Sequence, residues 1–255
     1  MIMIKHLKMN TMPKRWLKGI TLMMLAISPL FITGCLDDDD DINYDGPVAY
    51  VAFYHGSPET GAVTMYADGV SKPPYSVYPL EYTDFFNYGN FYTGDRTISF
   101  KSRNADNSLL DTAVVLEENK AYSFFLIDGE GDKDLGTVIA EDDWETPADD
   151  QALIRLVHLS PDAPAVNMTI NDQEMALFSD ESYQGVSTFE PIAGDLTSIT
   201  ITDAMTGEVL LTADDLQLRP QRVYTAIVRG YANPATGTHT DEDLSLQIIR
   251  NYPNY

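Results

Sequence analysis

Residues 153–166 read LIRLVHLSPDAPAV, and residues 51–59 read VAFYHGSPE. Each segment places an apolar run before the pattern His-x-Ser-Pro and an acidic residue. The run predicts a buried strand, and Ser-Pro-acid predicts the turn that ends it, because proline presets the turn dihedral angle. The two copies lie about 100 residues apart, a period too long for a solenoid unit and typical of duplication of a whole small domain.

The similarity between the copies extends beyond these segments. Val63 aligns with Val166 at the same offset, and Tyr122 aligns with Tyr224 at nearly the same offset, where each opens an apolar run. Between the copies, the chain is acidic, carries a proline and lacks an apolar period, which is typical of a linker. The predicted organisation is a first domain over 47–140, an acidic linker over 141–150 and a second domain over 151–255.

Short β-branched and aromatic segments separated by turn residues fill both copies. Residues 197–202, for example, alternate polar and apolar side chains with period two, as a half-buried strand requires. The pattern predicts an all-β protein with two tandem immunoglobulin-like antiparallel β-sandwich domains. The predicted strands cover 48–54, 62–67, 96–101, 109–116, 122–127 and 135–140, and then 153–157, 166–170, 198–202, 208–211, 223–229 and 244–249.

The first 34 residues carry basic residues and no acidic one, and an apolar run over 20–32 leads to Thr-Gly and then Cys35. This order is typical of a secretory signal. The junction resembles the lipobox of bacterial lipoproteins, which implies a lipoprotein signal peptide over 1–34 and a diacylglyceryl group and an N-acyl chain on Cys35. A transmembrane helix is the alternative, but a span needs about 20 apolar residues, and this run is shorter and contains Ser28 and Pro29.

Five aspartates follow Leu36, so that residues 35–46 are predicted to form a lipidated acidic tether kept extended by repulsion between charges. By resemblance to the sorting rule of bacteria with two membranes, Leu36 rather than aspartate after Cys35 implies the outer membrane. We therefore expect the protein to be anchored in the cell envelope through its acyl chains.

The formal net charge is −23, and it becomes more negative once the basic signal segment is removed. This surface excludes nucleic acid as a partner, because phosphate binding requires a basic patch. Cys35 is the only cysteine, so the mature chain can form no disulfide, thiolate zinc site or redox pair. We expect no cofactor, and stability must come from apolar cores.

Both copies resemble the bacterial family called domain of unknown function 4397. Residues 51–69 and, more closely, 153–166 match its opening signature, and the tyrosine, Ala-Gly pair and Tyr-Thr strand that follow it are represented by Tyr183, residues 193–194 and residues 224–230. The first copy departs from the pattern at residues 59–61. The resemblance implies an extracytoplasmic β-sandwich, often in tandem and often on lipoproteins, with no established activity.

The His-x-Ser pairs admit two interpretations. Histidine as base and serine as nucleophile would make a hydrolase, but the chain has no Gly-x-Ser-x-Gly nucleophile elbow. The favoured interpretation is structural, with the histidine joining strand backbone to loop and the serine or acid accepting backbone donors. The residues of this repeat signature are His55, Ser57, Pro58, His158, Ser160, Pro161 and Asp162.

Residues 128–134 carry carboxylates at every second position, in the manner of a calcium loop. An EF-hand also needs Gly at its sixth position and Glu at its twelfth, where this chain has Lys133 and Ile139. An irregular calcium site stays open as an alternative to a solvated hairpin turn. Its candidate ligands are Asp128, Glu130, Asp132 and Asp134.

Aromatic residues are dense over residues 75–92, more so than in the corresponding part of the second copy. Tyrosine offers a flat face and a polar tip, so this surplus could form a platform for a glycan or peptide, or could fill the core of a small sandwich. The candidate binding surface is Tyr82, Tyr88, Phe91 and Tyr92.

Taken together, these patterns favour a noncatalytic binding or structural module of the envelope, with an envelope protein or glycan as partner. A calcium-dependent adhesion or spacer protein is the alternative, and a hydrolase that uses the His-x-Ser motif is the least favoured.

Overall fold

A computed structural model describes residues 46–71, 79–103, 105–129, 135–171, 173–234 and 242–252. Within these ranges the chain forms sixteen strands in four four-stranded sheets, and the prediction of an all-β fold is confirmed. Over the same ranges, no helix has the length and apolar character needed to cross a membrane. The predicted signal peptide, Cys35 and the tether up to Asp45 lie outside the described residues.

The strands follow one another in the same pattern in both halves of the chain. In the first half they are β1 (Val48–His55), β2 (Val63–Ala67), β3 (Val70–Ser71), β4 (Phe85–Tyr92), β5 (Gly94–Ser102), β6 (Leu110–Leu116), β7 (Ala121–Asp128) and β8 (Leu135–Glu141). In the second half they are β9 (Gln151–His158), β10 (Val166–Ile170), β11 (Phe178–Glu181), β12 (Glu190–Ala193), β13 (Leu196–Asp203), β14 (Val209–Gln217), β15 (Val223–Arg229) and β16 (Ser245–Asn251).

Each half forms two sheets. We name them sheet A (order β4-β1-β7-β8), sheet B (β3-β2-β5-β6), sheet C (β12-β9-β15-β16) and sheet D (β11-β10-β13-β14). The pairs β1–β7 and β9–β15 are parallel, whereas the other described pairs of strands are antiparallel, so sheets A and C depart from the predicted antiparallel arrangement. The intervening strands give the chain enough length to return to the same end of the sheet, as a parallel pair requires.

The longest strand that sequence analysis missed is β4, over the aromatic-rich residues. Asn87, Gly89 and Asn90 interrupt its apolar pattern, and these residue types are rare in strands. Tertiary pairing with β1 compensates, because the two strands run antiparallel along most of their length. The short strands β3, β11 and β12 were missed as well, since two to four residues carry too little periodicity.

Sheets A and B enclose the first core, which is rich in aromatic rings. Phe53 of β1 lies at its centre, with ring-centroid distances of 5.8 Å to Phe100 and 5.3 Å to Phe124. Sheets C and D enclose a second core, which is mainly aliphatic and includes Ile154 and Ile199. Each half of the chain therefore buries a core of its own.

A further core, not foreseen from the sequence, lies between sheets A and C. Strands β7, β9 and β15 are buried along both faces, so their second faces need a cover beyond their own sandwich. Each sheet provides that cover for the other, which gives the layer sequence B-A-C-D. The buried side chains of this shared core are Tyr54, Phe125, Ile127, Val157, Leu159, Ile227 and Ile249.

Candidate functional site

His55 braces the turn that follows β1. Its Nδ1 accepts the backbone N–H of Ser57 at 3.4 Å, and its Nε2 lies 3.2 Å from the carbonyl oxygen of Gly61. This pattern assigns the ring proton to Nε2, and burial lowers the pKa of His55. The Ser57 hydroxyl is bonded instead to Thr60 Oγ1, at 2.8 Å, and to the carboxylate of Asp128.

His158 repeats the arrangement after β9. Its Nδ1 accepts the N–H of Ser160 at 3.3 Å, its Nε2 lies 3.0 Å from the Pro164 carbonyl oxygen, and burial lowers its pKa. Asp162 accepts the backbone N–H groups of Ala232 and Asn233 at 2.7 and 2.9 Å. In both halves the imidazole contacts the serine backbone rather than the hydroxyl, so this geometry does not activate a nucleophile.

The calcium candidates fall largely outside the described residues, since of the four only Asp128 is described. Its carboxylate accepts the N–H of Glu59 at 3.1 Å and lies 3.3 Å from the hydroxyl of Tyr231, and burial raises its pKa. The Tyr231 hydroxyl also donates to Glu59 Oε1 at 2.8 Å. Asp128 thus ties the first half to the second. In the part of the chain that is described, no group of His, Cys, Asp and Glu side chains could hold a metal ion.

The four aromatic candidates do not form one surface. Phe91 is buried in the first core and Tyr88 is buried between sheets A and C, which corrects their assignment to a binding surface. The guanidinium of Arg229 lies over Tyr82, with its Cζ 5.5 Å from the centroid of the tyrosine ring. Tyr92 is 43% exposed. The reason is β4 itself, because side chains of a strand alternate between its faces, and Tyr88 and Phe91 are buried on opposite faces.

Arg155 is the side chain around which the junction of sheets A and C is built. It projects from β9 and is almost completely buried, and its Nη1 donates to Asp142 Oδ1 at 2.5 Å. Its Nη2 donates to Ser123 Oγ at 3.1 Å and its Nε donates to Thr225 Oγ1 at 3.0 Å. The Ser123 hydroxyl in turn donates to Asp142 Oδ2 at 2.5 Å.

Two more residues complete this buried network. The Tyr88 hydroxyl donates to Asp142 Oδ2 at 2.6 Å and accepts Nδ2 of Asn251 at 2.8 Å. The Thr225 hydroxyl donates to Asn251 Oδ1 at 2.8 Å. Each member therefore has partners for its charge or its polar atoms, which is the condition under which a buried ion pair is tolerated.

The sequence contained one sign of this network that was not used. Arg155 is a single charge within the apolar run of β9, and a charge in a strand buried on both faces requires a partner. Its partner could not be found in the same way. Asp142 lies in an acidic stretch whose composition is typical of a solvent-exposed segment, although its own side chain is fully buried.

Residues 142–150, which we call the strap, form one wall of a groove at the edge of sheet C. Trp144 packs edge-on against Phe189 at 5.1 Å between ring centroids, and against Tyr88 at 6.4 Å. The groove has a volume of about 550 Å³. Besides the two rings, it is lined by Asp143, Glu145, Gln151 and Pro191.

The floor of the groove is held from beneath by the buried network. The guanidinium of Arg155 stacks over the ring of Phe189 at 4.5 Å from its centroid. The ion pair with Asp142 fixes the start of the strap, and β12, which carries Pro191, pairs with β9. The groove is therefore formed by the strap and by sheet C, and the buried network holds both walls in place.

A family model described as a domain of unknown function (DUF4397) matches residues 49–169. The resemblance stated from the sequence is confirmed over these residues. The matched segment begins within β1 and ends within β10, so it contains the strap together with Asp142 and Arg155.

Among solved structures, the chain matches a carbohydrate-binding module of family 26 from Eubacterium rectale Amy13K in complex with maltoheptaose. The identity is 10%, the match covers 80% of this chain and 98% of that chain, and the TM-score is 0.23, which is too low to support an argument about fold or ligand. No curated protein matches the chain.

Replacing Arg155 with methionine keeps the length of the side chain and removes its charge. The carboxylate of Asp142 then stays buried without a cation, so we expect the free energy of unfolding to fall by about 3–5 kcal/mol in urea denaturation. The matched control is Lys120→Met, which removes the exposed bond between Lys120 and Glu141 and should change stability far less. Equal losses in the two variants would contradict the central role of Arg155.

The buried histidines predict a loss of stability on mild acidification. The pKa values of His55 and His158 are lowered in the fold, so below the ordinary pKa of about 6.5 the unfolded chain binds protons that the folded chain does not. Each histidine should then cost up to about 1.4 kcal/mol per pH unit as the pH falls below about 6.5. Urea denaturation at several pH values should give a shallower slope for His158→Asn, whatever its absolute stability. An unchanged slope would show that His158 is not the titrating group.

Proposed function

We propose that this chain is a lipid-anchored, noncatalytic module of the bacterial cell envelope that binds a partner in the strap groove. The observation that carries the proposal is the groove itself, where Trp144 and Phe189 meet beneath exposed polar side chains. Concave sites that combine aromatic rings with a few polar groups are where proteins bind ligands.

The rigidity of the groove favours binding over a merely connecting role for the strap. Its start is fixed by Asp142, its aromatic floor by Arg155, and its far wall by the pairing of β12 with β9. A wall that is ordered before binding loses little conformational entropy when a ligand arrives. An ordinary solvated linker would require none of these contacts.

The geometry of the repeated motif supports a noncatalytic role. His55 and His158 each use both ring nitrogens on backbone groups, and burial lowers their pKa values. The Ser57 hydroxyl is engaged by Thr60 and Asp128. These residues hold the turns after β1 and β9 in place, which is a structural task.

The anchoring part of the proposal is supported by the sequence at Cys35. A buried acyl chain contributes about 0.8 kcal/mol per methylene, and a single chain holds only reversibly, whereas two or three chains give durable attachment. The tether that follows is acidic and would hold the sandwiches away from anionic lipid headgroups. We place the module at the outer membrane on the basis of Leu36.

Replacing Cys35 with serine tests the anchor. The variant should remain unprocessed and should no longer carry the acyl chains, which labelling with a radioactive fatty acid and gel mobility would detect. The control is Ser28→Ala, which changes the apolar run but leaves the acylation site intact. Normal lipid labelling of the Cys35 variant would overturn the assignment of this residue.

Site-specific photocrosslinking in living cells tests the groove. A photoreactive p-benzoylphenylalanine in place of Thr146, on the strap, should form adducts with an envelope component. The matched control is the same amino acid in place of Thr212, an exposed threonine of β14. Adducts of equal yield at both positions, or none at Thr146, would contradict a binding role for the groove.

A further inference from the structure

We propose that the strap groove recognises an extended polypeptide segment with arginine or lysine at alternate positions. This inference rests on the proposed function and names the ligand class of the same groove. It follows from the spacing of the carboxylates along the strap, from the negative charge around the groove and from the stacking of Arg155 on Phe189 within the protein.

Burial alternates along the start of the strap, as expected for an extended segment. Asp142 is buried, Asp143 is exposed, Trp144 is half-buried and Glu145 is exposed. Asp143 and Glu145 therefore share one face of the extended segment, two residues apart, and both line the groove together with Trp144. Alternate side chains of an extended chain repeat about every 7 Å, so a ligand with cationic side chains at every second residue would match this spacing.

The electrostatic potential around the strap favours positive charge. Among the described residues that line the groove there is no basic side chain, whereas two carboxylates are present. Lys120, nearby, has its pKa raised mainly by its bond to Glu141 and to a smaller extent by the charge of Asp143. The whole chain carries a formal charge of −23, which would draw a cationic segment toward the protein before contact.

The ring of Phe189, which lines the groove, already stacks on a guanidinium of the protein itself. Arg155 stacks over Phe189 at 4.5 Å and over Phe125 at 5.5 Å, and its charge is neutralised by Asp142. A planar cation over an aromatic face with a carboxylate at its edge is a favourable combination. In the lining of the groove, Trp144 with Asp143 and Glu145 offers the same chemical groups to a cation from another molecule.

The apolar rims favour a polypeptide over a small cation. Pro147 and Pro191 stand beside the aromatic rings on the two walls of the groove. Lysine and arginine bury their aliphatic stems along such surfaces while the charged ends reach the carboxylates. A neutral sugar would stack on the rings but would leave the paired carboxylates without a matching charge.

A labelled peptide of alternating arginine and glycine tests the inference on the full chain in nonionic detergent. Fluorescence anisotropy should show binding that weakens as salt is added. Asp143→Asn with Glu145→Gln should raise Kd by about tenfold or more, because both matched charges are lost. Asp214→Asn with Asp215→Asn removes the same charge from exposed positions of β14 and should change Kd by less than about twofold.

The tryptophans give a second readout. The chain has two, so in a Trp16→Phe background Trp144 is the sole tryptophan, and unlabelled peptide should change the tryptophan emission at the same concentrations at which labelled peptide binds. Equal weakening by the two charge variants would overturn the inference in favour of nonspecific attraction. A neutral maltooligosaccharide that changes Trp144 emission where the peptide does not would overturn it in favour of a glycan. Failure of the peptide alongside crosslinking from Thr146 would defeat this inference and leave the proposed function standing.

Discussion

The buried ion pair between Arg155 and Asp142 is the constraint on which the junction of the molecule depends. A guanidinium on a strand buried along both faces must be neutralised within the protein, since an unpaired buried charge is among the costliest defects a fold can carry. The carboxylate comes from the strap, so the connection between the halves must lie at the junction of sheets A and C. Through Phe189, the same guanidinium also sets the floor of the groove.

The shared strand order of the two halves explains why the junction accepts such a network. Ser123 of β7 and Thr225 of β15 occupy corresponding positions. Asp142 and Asn251 also correspond, because Asp142 lies beside Ala121, the first residue of β7, and Asn251 lies beside Val223, the first residue of β15. Sheets A and C thus present similar polar positions to each other. Arg155 has no such counterpart, because the first copy has alanine at the equivalent place. The charge of Arg155 therefore makes the facing surfaces of sheets A and C differ, and it is the reason why Asp142 of the strap is buried at the junction.

The sequence was informative where turn residues clearly delimit a run of strand-forming residues. Strands β10 and β15 were predicted with their observed bounds, because β-branched residues and turns mark them clearly. It was less informative at positions such as Phe125. Its neighbour Phe124 packs in the first core, whereas Phe125 packs in the core between sheets A and C. An apolar run shows that both faces of a strand are buried but not which element covers the second face. Asp142 could not be distinguished from the exposed acids around it, because its burial depends on an arginine donated by the other half.

The ion pair of Arg155 and Asp142 holds both the junction of sheets A and C and the walls of the groove. A ligand in the groove contacts the strap on one side and sheet C on the other, so it would bind only the state in which the strap is docked on sheet C. Binding to the folded state alone stabilises that state by mass action. Occupation of the groove should therefore stabilise the docking of the strap on sheet C, and loss of Arg155 should weaken binding without any direct contact to the ligand.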